Sequence, residues 1–266
     1  MTTRRDRPQR WGAWLAALWL MTAASPAVAQ DLACRQALAL GLDVSGSVDA
    51  REYRLQLDGI VTALDAAPVR AALLALPNAP VDLMVYEWSG PEDHHVLADW
   101  TTINGAEDIA VFQETLRQTV RRAASPATAL GAALRSGAAH LARRAHCAKR
   151  SLDISGDGRS NMGDAPETAR AELARDGITV NALVIGVDMP RGGDMRQEQI
   201  GALSSYFRER VIVGPDAFVQ TALGYEAYAK AMERKLVREL ETRLVARLAT
   251  PPKRSAARRL ISRGTQ

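Results

Sequence analysis

Asp43, Ser45 and Ser47 stand at alternate positions where the apolar run Leu38-Ala39-Leu40-Gly41-Leu42 ends, so one carboxylate and two hydroxyls can converge on a single point. Thr128 opens a second segment, Thr128-Ala129-Leu130-Gly131, on the loop side of a helix. Asp157 directly follows another apolar segment and precedes Gly158. Together these make an all-oxygen set of two carboxylates and three hydroxyls. Such a set suits a hard divalent cation, Mg²⁺ first, with Mn²⁺ or Ca²⁺ as alternatives, because these ions take oxygen ligands and often keep water in open positions. Each motif alone has a plainer reading: Ser45, Ser47 and Thr128 as helix N-caps, and Asp157-Gly158 as a turn. All three in chain order favour the metal.

Rival chemistries lack a motif. Val44-Ser45-Gly46-Ser47-Val48 is not the Gly-x-Ser-x-Gly nucleophile elbow, and no Gly-rich phosphate loop with Lys is present. His94, His95, His140 and His146 form no pair at metal-ligand spacing and are read as non-catalytic. A metal-assisted hydrolase remains the least favoured alternative, since an open ion can activate water. The expectation is a protein that is not an enzyme.

Strands must deliver these residues to one edge. Val48 to Asp65 reads as a helix capped by the loop ending in Ser47, and Val81 to Trp88 as a strand. Ser89 to His95 is too short for a crossover helix, so Val96 to Thr102 should be an antiparallel edge strand. Helices follow at Glu107 to Arg122 and Ala129 to Ala145, the second with Thr128 as N-cap. Then come a strand at Ser151 to Gly156, a helix at Ala165 to Arg175 and a strand at Ile178 to Ile185. A short helix around Gln197 to Phe207, a last strand at Val211 to Val213 and a long helix from Ala217 complete the order. Met232, Leu236, Leu240, Leu244 and Leu248 recur at spacing four on that helix. This α/β alternation implies a doubly wound, mostly parallel sheet with helices on both faces. By period-two alternation Asp153 shares a face with Ser155 and Asp157, either as a support behind the ligands or as a structural hydrogen-bond partner.

The chain of 266 residues, 47% hydrophobic and 24% charged, has room for one main domain. Arg4, Arg5, Arg7 and Arg10 precede an apolar run from Trp11 to Ala24 and the small residues Ala27-Val28-Ala29. Residues 1–29 therefore read as a signal peptide leaving Gln30 first, with export to the periplasm or beyond the cell. No membrane span is expected once it is removed. The whole chain carries +4; without the leader's four Arg and Asp6 it carries +1. Residues 230–266 hold eleven Lys or Arg against three Glu, leaving the body acidic, a profile that argues against nucleic acid. The domain should run from 30 to 249. Residues 250–266 read as a disordered basic tail with at most weak attraction to anionic surfaces.

Asp43-x-Ser45-x-Ser47, Thr128 and Asp157-Gly158 resemble the metal-ion-dependent adhesion site of von Willebrand factor type A domains, with all five positions present over about residues 35 to 245. Glu87-Trp88-Ser89-Gly90, Ile154-Ser155-Gly156-Asp157-Gly158 and Gly214-Pro215-Asp216-Ala217-Phe218-Val219 are similar, more narrowly, to a group of exported bacterial type A proteins classed as a domain of unknown function. The resemblance implies a Rossmann-like six-stranded sheet in the order 3-2-1-4-5-6. It also implies a cation held by Asp43, Ser45, Ser47, Thr128 and Asp157, and a protein partner whose Asp or Glu carboxylate takes the open position. An alternative keeps the cation as a loop stabiliser and makes the C-terminal helix, through Leu236, Leu240 and Leu244, the contact with the partner.

An exported chain with two cysteines favours a bridge. In the type A strand order the strands ending at Asp43 and Asp157 are neighbours, with Cys34 nine and Cys147 ten residues upstream, at the opposite edge. Adjacent strands lie ~4.8 Å apart, within disulfide reach. Such a bridge, closing more than a hundred residues, is worth ~4.7 kcal/mol by chain entropy.

Overall fold

Gln36–Asp43 forms the central strand β1, and all eight residues are buried, as an apolar run covered on both sides requires. Leu38, Leu40 and Leu42 enter one core and Ala37 and Ala39 the other. A computed structural model of the chain describes residues 34–186 and 193–248, and their side chains except at 193–196 and 242–248. The expected leader, the basic tail, and the side chains of Leu244 and Leu248 lie outside the described residues.

Five further strands flank β1: β2 (Val81–Trp88), β3 (His94–Ile103), β4 (Arg150–Gly156), β5 (Thr179–Ile185) and β6 (Val219–Ala222). Their order is β3-β2-β1-β4-β5-β6, parallel throughout except for antiparallel β3 at the edge. This is the sheet expected. On the leucine face of β1 pack α1 (Ala50–Asp65), α2 (Ala67–Leu74), α3 (Ala106–Gln118) and the C-terminal α7 (Tyr228–Leu248). On the alanine face pack α4 (Leu130–Ala142), α5 (Pro166–Arg175) and α6 (Gly193–Arg210).

Several expectations give way. The N-cap of α1 is Asp49, in a reciprocal capping box with Glu52, so Ser47 is free of that role. Thr128 does not cap α4 either, which starts at Leu130 without a side-chain cap from its own N-terminus. Val211 to Val213 is not a strand: only Val213 bridges, to Val180, before Gly214 at φ 105° turns the chain. The last strand is Val219–Ala222, aligned by the Phe218 amide donating to Asn181 Oδ1 at 3.1 Å, and so α7 begins eleven residues later than Ala217.

The apolar stripe of α7 is spent on the domain itself. Met232, Leu236 and Leu240 are buried in the leucine-side core, which removes Leu236 and Leu240 as a free docking face. Close packing is permitted by Gly59, where any Cβ would meet the Tyr228 ring at 2.6 Å. Beneath the stripe, Lys235, fully buried, pairs with Asp153 and lies 3.5 Å from Glu239. Gln36 Nε2 donates to Glu239 at 3.2 Å and Lys149 lies 3.8 Å away. Burial, then the neighbouring Glu239 carboxylate, pushes the Asp153 carboxyl up to about 8. Burial alone would raise Glu239 as well, but Lys235 and Lys149 hold it below the usual range. Asp153 is therefore engaged as a structural partner of α7.

Removing one member of such a cluster leaves an uncompensated buried charge, at a cost of about 3–5 kcal/mol. Lys235→Met should lower the unfolding free energy in urea by that amount. Replacing Lys235, Asp153 and Glu239 together with apolar residues should restore much of it, and an equal or larger loss in the triple variant would contradict the assignment.

Candidate metal centre

The parallel alignment of β1 with β4 pairs Leu42 with Ser155, so Asp43 and Asp157 leave the sheet at nearly the same level. Asp43 is wholly buried and Asp157 nearly so. The Asp43 Oδ1 accepts from the Ser45 amide at 2.9 Å, an Asx turn that folds the loop back over the strand end. Ser45 Oγ lies 3.3 Å from Ser47 Oγ, and Ser47 Oγ donates to Asp157 Oδ1 at 2.7 Å. Four of the five expected residues are thus linked side chain to side chain or through one amide.

Thr128 comes from the loop before α4 and is buried. Its backbone is pinned from both sides: its amide donates to Asn161 Oδ1 and the Asn161 amide donates to its carbonyl, each at 2.9 Å. Ser160 Oγ donates to the same carbonyl at 3.2 Å. The Thr128 hydroxyl lies 3.9 Å from where a Cβ on Gly158 would stand, beside Asp157. The Gly46 amide donates to the Pro126 carbonyl at 3.2 Å, closing the three loops into one rim.

Asp43 Oδ2 is the informative atom. It is buried and has no hydrogen-bond partner, although unpaired buried polar atoms are costly. Gly156 leaves room for it, since a Cβ there would stand 3.3 Å from Oδ2. Burial, then repulsion from Asp157, pushes the Asp43 carboxyl up to about 7, despite the Ser45 hydrogen bonds and the pull of the Asp157 backbone amide. Two carboxylates and three hydroxyls with one orphaned oxygen form a donor set for a hard divalent ion.

Two side chains and one backbone carbonyl complete the support. Tyr225, in a 3-10 turn spanning Tyr225–Ala227, donates its hydroxyl to Asp157 Oδ2 at 3.1 Å. Burial, followed by Asp157 and Asp43, raises its ionisation far above the ordinary range. Gln56 of α1, buried, donates to the Asp43 carbonyl at 3.0 Å. Ser89 follows Trp88, the residue paired with Asp43; its carbonyl accepts from the Ala129 amide at 2.8 Å. A glutamine at helical spacing with Tyr53 and Ile60 is a readable signal for Gln56; Tyr225 has none.

A family model described as "Protein of unknown function (DUF1194)" matches residues 33–244. No curated protein matches the chain. Among solved structures it is similar to proximal thread matrix protein 1 from the mussel byssus, with TM-score 0.54 and 14% identity over 79% of this chain and 47% of that one. A second structure of that protein has a zinc-occupied MIDAS motif. It is also similar to the pilus adhesin SpaC from Lactobacillus rhamnosus GG, with TM-score 0.56 and 14% identity over 79% of this chain and 30% of that one. A third similar structure is a von Willebrand factor type A protein from Catenulispora acidiphila, with TM-score 0.50, 14% identity, and coverage of 78% and 43%. The chain spans less than half the length of each. The likeness shows the fold, which is that of von Willebrand factor type A domains. No described helix is long and apolar enough to cross a membrane.

Because the folded value of Asp43 lies above its ordinary 3.8, the folded chain holds this proton more tightly than the unfolded one. Its contribution is complete below about pH 4 and is lost as pH rises through about 7, on the order of 4 kcal/mol in all. In chelator-treated protein, Asp43→Asn should flatten the fall in urea stability between pH 4 and 8 by this order. Asp153 contributes equally to both proteins and cancels. Parallel pH profiles for the two would contradict the assignment.

Proposed function

The chain belongs to the family described as Protein of unknown function (DUF1194), and from that premise we propose that it is an exported, non-enzymatic binding domain. Asp43, Ser45, Ser47, Thr128 and Asp157 hold a divalent cation, Mg²⁺ first, through which the domain grips an acidic group on a protein partner. Residues 1–29 serve as its export leader and 250–266 as a basic tail. The observation that carries the reading is the buried, unpartnered Asp43 Oδ2 facing a second carboxylate across two serine hydroxyls. A divalent cation relieves that repulsion and satisfies that atom at once.

The surroundings suit an acidic, partly apolar partner. Arg121 donates to the Val48 carbonyl beside the serine loop, and exposed Arg159 stands two residues after Asp157, its guanidinium 5.4 Å from the Tyr206 ring. Val120, Met162 and Leu223, three of the large hydrophobics most open to solvent, sit on segments that lead into or out of the same rim. The alternative in which α7 makes the contact has lost Leu236 and Leu240 to the core.

Titration calorimetry of the full chain with Mg²⁺ or Mn²⁺ should give one equivalent bound. Asp43→Ala or Asp157→Ala should weaken binding by at least about tenfold, while exposed Glu114→Ala should not. Capture of a protein partner should then be lost on adding chelator. Metal binding that survives Asp43→Ala would sink the reading.

A further inference from the structure

At the edge of the sheet opposite Asp43, a second group of side chains converges. Cys34, just before β1, and Cys147, between α4 and β4, are joined by a disulfide with their Cα atoms 4.6 Å apart. Asp82, the second residue of β2, and His146 complete the corner, and the ligand atoms of all four lie within 4.8 Å of one another. Asp82 Oδ2 is 3.8 Å from Cys147 Sγ and 4.0 Å from His146 Nε2, while His146 Nε2 is 3.8 Å from Cys147 Sγ. In a tetrahedral zinc site, ligand distances of 2.0–2.3 Å put donor atoms ~3.3–3.8 Å from each other. Three of the five non-bonded separations already fall within a few tenths of an ångström of that range, and the two from Cys34 Sγ lie within 4.8 Å. The largest change needed is for the bonded sulfurs to part.

We propose that reduction of the Cys34–Cys147 disulfide turns this corner into a tetrahedral site for Zn²⁺ or a similarly thiophilic divalent ion, with Cys34, Cys147, Asp82 and His146 as ligands. A dithiol reductant gives two electrons and two protons to the disulfide and itself becomes a disulfide; the S–S bond breaks and leaves two thiols. Each thiol loses its proton on binding the ion. Oxidation of the thiolates by a disulfide reverses the step and releases the metal. Two thiolates and one carboxylate around a doubly charged ion leave one negative charge, and the Arg144 guanidinium, 3.1 Å from Asp82 Oδ2, offsets it. Thr102 Oγ1 donates to Asp82 Oδ1 at 2.7 Å, fixing the carboxylate with Oδ2 turned toward the sulfurs. Half of the His146 side chain is open to solvent, so the ion has a way in. Softness separates this corner from the all-oxygen centre, since thiolates select zinc where carboxylates and hydroxyls suit magnesium.

The test uses the full chain reduced by a phosphine, which adds no thiol, and titrated with Co²⁺. A thiolate-to-cobalt charge-transfer band should saturate at one equivalent, be absent from the oxidised protein, and vanish on adding Zn²⁺. Asp82→Asn and His146→Ala should each weaken cobalt binding by at least about tenfold. The oxygen-only centre cannot produce this band, so the two sites are read separately: Asp43→Ala should leave it unchanged. The proposal is overturned by absence of the band, by binding unaltered in both ligand variants, or by loss of the native circular dichroism on reduction alone.

Discussion

The parallel register of β1 against β4 is the constraint from which both ends of the molecule follow. Ala37 pairs with Arg150 and Leu42 with Ser155, and the same offset of 113 residues joins Cys34 to Cys147. Continued upward, it sets Asp43 beside Gly156 and leaves Asp157 one residue beyond, within reach of the serine loop. A slip of one residue would send every side chain of a strand to the other face. Leu38, Leu40 and Leu42 would then press on α4, where the β1 positions are Ala37, Ala39 and Gly41, and a Cβ on Gly41 would already meet Tyr86 at 2.7 Å. The small residues of β1 forbid that slip, and the disulfide locks what they select.

Two of the buried groups of charge in this framework are treated differently. Around Lys235, the chain supplies its own cations: Lys235 and Lys149 face Asp153 and Glu239, and Gln36 fills a remaining acceptor. Around Asp43 and Asp157 it supplies hydroxyls, which soften a carboxylate but do not neutralise it. Among the described residues no Lys or Arg is paired with either aspartate. A domain that sets lysines against the buried carboxylates under α7 has set none against this pair at the rim, and the physical case for a bound cation rests on that contrast.

Where a residue's environment is set by its own strand, the sequence was sufficient. Val81–Trp88 and Ser151 to Gly156 read as buried runs, and the short Ser89 to His95 link requires an antiparallel β3. The C-terminal third resisted for a definite reason. Val211-Ile212-Val213 has the composition of a strand, but its burial comes from packing at the end of α6, whereas Val219–Ala222, half polar, is a strand because β5 offers it a ladder. Caps misled in the same way: Ser47 and Thr128 have cap-forming side chains, yet Asp49 with Glu52 outcompetes the first, and Ser160 Oγ, 3.2 Å from the Leu130 amide, takes the place of the second. Tyr225 could not have been found at all, since its role depends on where β6 ends. The failed cap assignments bear on the proposed metal site, because hydroxyls not spent on helix amides are available to it.

The strand pair β1 and β4 therefore has chemically opposite ends. From Cys34 to Asp43 the chain advances nine residues, roughly 30 Å at strand rise, where two unit charges interact by only about 0.6 kcal/mol at an effective dielectric of about 20. At that distance the charge state of one end has little direct effect on the other, so any communication between them must be mechanical. Rigidity makes that path narrow: every residue of β1 is buried, and Ala37 to Leu42 are paired with parallel neighbours on both sides, so the strand can transmit a shift along its axis but has little freedom to twist. Parting the sulfurs at one end would loosen the lock on register without breaking the ladder that sets it. The level match between Asp43 and Asp157 is held by the small residues and the sheet, and the covalent tie adds persistence to an alignment already chosen by packing.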